Sequence, residues 1–290
     1  MRVTVKGNKI IIENAENFEA KHILECGQVF RYVKNGEGDY TVFSKDRKAR
    51  IVGADGDFII DCFNKTDAPY FYNYFDLDTD YGKIRDKILL TASENAFESE
   101  FINKVLGEGK GIRILKQDRI ETILSFIISA NNNIKRIQGI IERLCVAAGE
   151  DMGGYYAFPS VPALAKLTKK FYNDIGAGYR DDYLYQTVKS LNEGFDLDAV
   201  DRAETPDAEK LIAGLMGVGP KVANCILLFG FAKTDTFPVD TWINKTFNGF
   251  YGGNLNRREI QSRFIKRYGK LSGYVQQYIF YAAREGVLKI

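Results

Sequence analysis

The hydrophobic period of this chain changes once, from two residues to about 3.6, and that switch restricts the architecture to a strand-rich start and a helical body. Val3 and Val5 alternate, Ile10-Ile11-Ile12 is a β-branched run, and Tyr40/Val42, Ala49/Ile51 and Phe58/Ile60/Cys62 follow. The turn-rich stretches Asn35-Gly36-Glu37-Gly38-Asp39 and Ala54-Asp55-Gly56-Asp57 separate them. Short strands at this spacing predict an antiparallel meander over roughly the first 65 residues. From about residue 82 the pattern is helical. Ile120, Ile123, Leu124, Ile127 and Ile128 form one apolar face, with Asp118 and Glu121 as the start signal. Asn131-Asn132-Asn133 interrupts it, and Ile137, Ile140, Ile141 and Leu144 resume it. Further helices are expected near 162–171, 181–193, 207–215, 220–230, 241–249, 257–268 and 273–284. The fold class is therefore α+β. A small antiparallel β domain with a short helical part (1–85) precedes an all-helical domain (86–290).

Composition removes several chemistries. The 290 residues carry 40 Lys plus Arg against 38 Asp plus Glu, a net charge of +2, which speaks against a polybasic binder. The one histidine, His22, excludes zinc or iron sites built on several imidazoles. Cys26, Cys62, Cys145 and Cys225 are too far apart for a CxxC pair and lie in apolar stretches, as buried free thiols do in a reducing compartment. No metal or redox cofactor is expected. The opening residues do not read as a signal peptide, and no apolar run reaches the ~18 residues a membrane span needs. A cytoplasmic protein is expected, nucleoid-associated if bacterial, with a monomer as the default state.

The most informative stretch is Leu211-Ile212-Ala213-Gly214-Leu215-Met216-Gly217-Val218-Gly219-Pro220-Lys221. A helix is expected to end at Gly217, Val218 to anchor the turn, and Pro220 to open a second helix. Glycines at 217 and 219 permit positive φ and the close approach of another chain. The free N–H groups at the new helix start can hold an anion. This is a helix–hairpin–helix module, which grips DNA phosphates through backbone amides and needs little net charge. A plain αα-hairpin is the competing reading. Lys221, at the second helical position, is disfavoured there as a cation, which suits an amine nucleophile. Nineteen residues on, Phe237-Pro238-Val239-Asp240-Thr241-Trp242 sets Asp240 at an expected helix start.

The hairpin, lysine and aspartate together resemble the helix–hairpin–helix DNA glycosylase superfamily. Four further segments resemble the 8-oxoguanine DNA glycosylase/AP lyase family in particular. They are Glu25-Cys26-Gly27-Gln28-Val29-Phe30-Arg31-Tyr32, Phe126 to Arg136, Gly176-Ala177-Gly178-Tyr179-Arg180 and Gly273 to Phe280. The resemblance spans essentially the whole chain. It implies base-excision repair of DNA damage: removal of 8-oxoguanine from duplex DNA by lysine attack at C1′, with β-elimination at the abasic site. Lys221 is then the nucleophile, and Asp240 stabilises positive charge on the sugar. Base flipping costs a few kcal/mol. By the same analogy Phe280 stacks on the extruded base, Gln276 reads its Watson–Crick edge, Cys225 forms the opposite wall, and the Gly27 carbonyl accepts from N7–H. Asn131, Arg136, Tyr179 and Arg180 match residues that fill the vacated stack and contact the orphaned cytosine. Gly217, Val218 and Gly219 belong to the DNA-gripping hairpin.

For each position a purely structural role competes: core packing for Phe280 and Cys225, a turn for Gly27, a helix-ending turn for Asn131 to Asn133. Arg257, Arg258, Arg263, Lys266, Arg267 and Lys270 read first as a solvated helix face. One departure stands out. Eukaryotic members carry histidine two residues after the aspartate, and Trp242 stands there, which questions a phosphate contact from that position. Two other functions compete. A related glycosylase for another damaged base is disfavoured because no cysteine follows Cys225, as the endonuclease III-like four-cysteine cluster would need, and because alkylpurine enzymes lack the lysine. A non-catalytic DNA-tethering hairpin remains the alternative of a different class.

Overall fold

The computed structural model describes residues 1–286 and Leu288. The β part contains β1 (Arg2–Lys6), β2 (Lys9–Glu13), a short helix α1 (Ala20–Leu24), β3 (Tyr32–Gly36), β4 (Asp39–Ser44), β5 (Arg47–Ala54) and β6 (Asp57–Cys62). These strands form one six-stranded sheet in the order β1-β2-β6-β5-β4-β3, with every pairing antiparallel. The expected meander holds from β3 to β6 only. The β1–β2 hairpin instead joins the far edge, with Ile10 opposite Ile60 and Ile12 opposite Phe58. That register puts Ile10, Ile12, Ile51 and Ile60 on one buried face with Phe18, Phe71 and Phe75. Burying that isoleucine row is what draws the hairpin across.

Helices begin earlier than the periodicity indicates. After Lys65–Asp67, α2 (Ala68–Tyr74) closes the open face of the sheet, followed by α3 (Tyr81–Ala92) and α4 (Ala96–Glu108). Next come α5 (Arg119–Ser129), α6 (Ile134–Ala148), α7 (Val161–Leu164), α8 (Lys169–Asp174), α9 (Asp181–Asn192), α10 (Leu197–Arg202) and α11 (Thr205–Ile212). The last four are α12 (Pro220–Gly230), α13 (Thr241–Tyr251), α14 (Arg257–Tyr268) and α15 (Ser272–Arg284). The single helix expected near 162–171 is two, because the Thr168 side chain caps a new helix at Phe171 N–H. Among the described residues no helix is long and apolar enough to cross a membrane.

Three apolar cores result. One lies under the sheet, one gathers α5, α6, α9 and α12, and one gathers α3, α4, α13, α14 and α15. The segment Cys26 to Arg31 runs between them and is anchored at Gln28 and Arg31. Gln28 is fully buried: its Nε2 donates to the carbonyls of Ile23 (2.9 Å) and Arg113 (2.8 Å), and its Oε1 accepts from Leu115 N–H at 2.9 Å. Arg31 lies 3.6 Å from Glu121 and donates to the Tyr156 carbonyl at 2.6 Å. Glu121 also accepts from Lys45 N–H at 2.9 Å. Asp118 does cap α5, but Glu121 is spent on this seam rather than on closing a capping box. Breaking such a buried pair by removing one partner costs roughly 3–5 kcal/mol, so the loop at Gly27 is held rigidly against the helical body.

Candidate active site

The hairpin forms, with its entry helix ending sooner than expected. α11 stops at Ile212, and five residues of turn carry the chain to Gly217. Gly217 takes φ +83, and a Cβ there would lie 2.7 Å from Tyr183, so only glycine fits. Gly219, by contrast, is extended (φ −83, ψ 175), with open space where a Cβ would stand. Its value is access rather than an unusual φ. Val218 is buried in the core, and Thr187 of α9 holds the Met216 carbonyl at 2.9 Å. Among the described residues the N–H groups of Gly219, Lys221 and Val222 have no protein partner. Unpaired amides at a helix start attract anions. The groove beside them, about 360 Å³, also carries Arg257 and Arg258 of α14.

Lys221 projects from the second position of α12 with its Nζ 5.4 Å from the Phe126 ring centroid. It makes no carboxylate ion pair among the described residues. Asp240 is the N-cap of α13, its Oδ1 accepting from Ile243 N–H at 2.8 Å. The cap fixes the carboxylate with one oxygen. Burial pushes the Asp240 carboxyl above the usual carboxylate range, against the pull of the Ile243 amide and the Lys221 charge. Asn224 ties α12 to the segment leading to Asp240 and to α14: its Nδ2 donates to the Pro220 carbonyl at 2.9 Å, and its Oδ1 accepts from Phe237 N–H at 3.4 Å and from Gln261 of α14 at 3.0 Å. Sequence reasoning passed over Asn224 and Gln28. A buried Asn or Gln in an otherwise apolar run was the available signal.

Gly27, Lys221, Cys225, Asp240, Gln276 and Phe280 line one narrow recess of about 30 Å³. It opens into a cleft of about 790 Å³ whose rim includes Asn131, Asn133, Trp242, Arg257, Phe280 and Arg284. Gly27 takes φ +79, and its carbonyl has no partner among the described residues. Gln276 is buried with its Oε1 unbonded, and burial raises the Cys225 thiol so that it stays neutral. The recess is too small for a purine, because the Phe280 ring lies against Gly27: a Cβ on Gly27 would be 3.3 Å from Phe280 Cε1.

Across the cleft the other four residues cluster at the end of α5. Asn131 is exposed in a left-handed conformation, φ +48. Tyr179 is 55% exposed and donates to the Ala130 carbonyl at 3.2 Å. Arg136 donates to the Gly176 carbonyl at 3.1 Å. Arg180 departs from expectation. It is only 2% exposed, and its guanidinium donates to the carbonyls of Ala130, Asn131 and Ala177, so it clamps the α5 end rather than standing free for a base. The basic run of α14 also divides. Arg257 and Arg258 face the grooves, Arg263 covers Phe247 and Tyr251, and Arg267 pairs with Glu98 at 2.8 Å.

Residues 10–123 match the family described as 8-oxoguanine DNA glycosylase, N-terminal domain. A probable N-glycosylase/DNA lyase of Methanothermobacter thermautotrophicus is 36% identical over 217 residues, covering 66% of this chain and 70% of that protein. The chain belongs to the 8-oxoguanine DNA glycosylase/lyase family. The Clostridium acetobutylicum 8-oxoguanine glycosylase/lyase, in complex with dsDNA containing cytosine opposite 8-oxoG, superposes with a TM-score of 0.90 at 35% identity over 99% of both chains. An N-glycosylase/DNA lyase of Arabidopsis thaliana is 31% identical over 193 residues, 60% of this chain and 52% of that one.

Proposed function

We infer that this protein is a bifunctional 8-oxoguanine DNA glycosylase/AP lyase acting on duplex DNA. The observation that carries the reading is the meeting of an amine, a carboxylate and two unpaired acceptors, Gly27 C=O and Gln276 Oε1, on one recess. The hairpin amides, with Arg257 and Arg258, receive the phosphates, which explains how a net charge of +2 suffices. The flipped base enters as the Phe280 ring swings off Gly27, and is then held between Phe280 and the neutral Cys225. Stacking of this kind is worth roughly 1–3 kcal/mol. Guanine lacks the N7 hydrogen that the Gly27 carbonyl accepts, and a buried acceptor left unpaired costs about 1–3 kcal/mol.

The Lys221 amine, its proton given up to solvent, attacks C1′, the C1′–N9 bond breaks with its electron pair leaving on the base, which takes a proton from water, and Asp240 stabilises the cationic sugar. The lysine nitrogen then gives up one proton, O4′ takes one up as the C1′–O4′ bond breaks and the ring opens, and a protonated Schiff base remains. Removal of a C2′ proton expels the 3′-phosphate. The lysine-lacking alkylpurine glycosylases and the non-catalytic tether lose ground because both lysine and carboxylate line the recess. Borohydride trapping on an 8-oxoguanine duplex tests this. A covalent adduct is expected, with Lys221→Gln abolishing it and lowering excision by roughly 10⁴-fold or more. An adduct that persists in Lys221→Gln sinks the assignment.

A further inference from the structure

We propose that Arg284 is a specificity-determining residue that donates to the C8 oxygen of the flipped base. This rests on the 8-oxoguanine reading above and deepens it. Along α15, Gln276, Phe280 and Arg284 recur every four residues, so they share one helix face over about 12 Å. Gln276 stands at the inner end with an unbonded acceptor, and Phe280 presents its ring in the middle. Arg284 stands at the outer end on the cleft rim, beside Gly27. Its Nη1 would lie 3.7 Å from a Cβ on Gly27.

The bonding state of these groups gives the argument its chemistry. Arg284 Nη2 reaches Glu285 Oε1 at 3.4 Å, while Nη1 is buried and has no partner among the described residues. An unpaired buried donor on a cation is costly and needs an acceptor. Gly27, against which it lies, carries a carbonyl with no partner among the described residues. An acceptor beside a donor is the complement of what oxidation adds to guanine, a hydrogen on N7 beside an oxygen on C8. Guanine offers the reverse at N7 and nothing at C8. The two orphans therefore read both changed atoms, and the carbonyl alone reads only one.

The test uses the full chain carrying Lys221→Gln, so that no turnover occurs. Affinity is measured for duplexes holding 8-oxoguanine, guanine or a tetrahydrofuran abasic analogue opposite cytosine. Arg284→Met is expected to lower the 8-oxoguanine/guanine affinity ratio roughly 10- to 100-fold, the range for a charged hydrogen bond, with abasic affinity unchanged. Arg284→Lys, which keeps the charge but loses the planar fork, should fall between. If Arg284→Met does not fold, the lysine variant decides. Equal losses on all three duplexes, or an unchanged ratio in the folded variants, overturn the proposal. A parent protein with no preference for 8-oxoguanine overturns the underlying reading and this one with it.

Discussion

On the α12–α15 side of the cleft several groups that face the recess have no partner among the described residues, whereas at the end of α5 they are already spent. Gly27 C=O, Gln276 Oε1 and the amides at the start of α12 have no protein partner among the described residues. Arg180, Tyr179 and Arg136 all donate to backbone carbonyls of Ala130, Asn131, Ala177 or Gly176. The lesion side has thus met its desolvation cost during folding and waits for a ligand to repay it. The α5 side is satisfied without DNA and, on the proposed reading, would have to exchange protein acceptors for cytosine. Recognition of the damaged base should therefore be steep in affinity, and recognition of its partner shallow.

The sharpest way to break this asymmetry is at Asp240, a recess group that has a partner in the Ile243 amide and is still held off balance by burial. Asp240→Asn keeps the cap on α13, since asparagine caps as well as aspartate. Excision is expected to fall by roughly 10²–10³-fold, the usual loss when an electrostatic stabiliser is removed. The wild-type pH profile should show the sign directly. In the proposed mechanism the ionised carboxylate is the active form, and burial raises its pKa, so single-turnover excision is expected to decline with falling pH at a point above the ordinary carboxylate value of about 3.9. That acid limb should vanish in Asp240→Asn. A limb unchanged in the variant assigns it to another group.

Most of this site is visible in the residues, because the hairpin and the Lys221/Asp240 pair rest on local backbone chemistry. Pro220 starts α12 and Asp240 caps α13 where the local signals put them. Long-range consequences were not legible. Nothing in Ile10-Ile11-Ile12 announces pairing with Ile60 rather than with the next strand, since register follows a core assembled from distant segments. Arg180 carries the same limit: its type suits cytosine, but only the fold places three carbonyls around it. α11 ends at Ile212, ahead of Gly214, and Leu215 and Val218 beyond it turn into the core.

Gln276→Leu probes the unpaired acceptor next. Leucine fills a similar volume without an acceptor, so melting should be unchanged or improved, because an unbonded buried oxygen is removed. Excision of 8-oxoguanine should fall roughly 10- to 100-fold, while β-elimination at a preformed abasic site, which has no base to read, is retained. Equal losses in both reactions would assign Gln276 to scaffold rather than readout.

Arg180→Ala gives the opposite signature and the smallest loss of function. The carbonyls of Ala130, Asn131 and Ala177 lose their buried donor, so stability is expected to drop by about 1–3 kcal/mol. Excision by the folded fraction should fall only a few-fold opposite cytosine, because a donor that trades one acceptor for another contributes little net binding. Thermal melting and single-turnover rates opposite each of the four bases separate the two effects. A large, cytosine-specific loss with unchanged melting would mean that Arg180 leaves its carbonyls at little cost, and the two sides of the cleft would then be equally prepared.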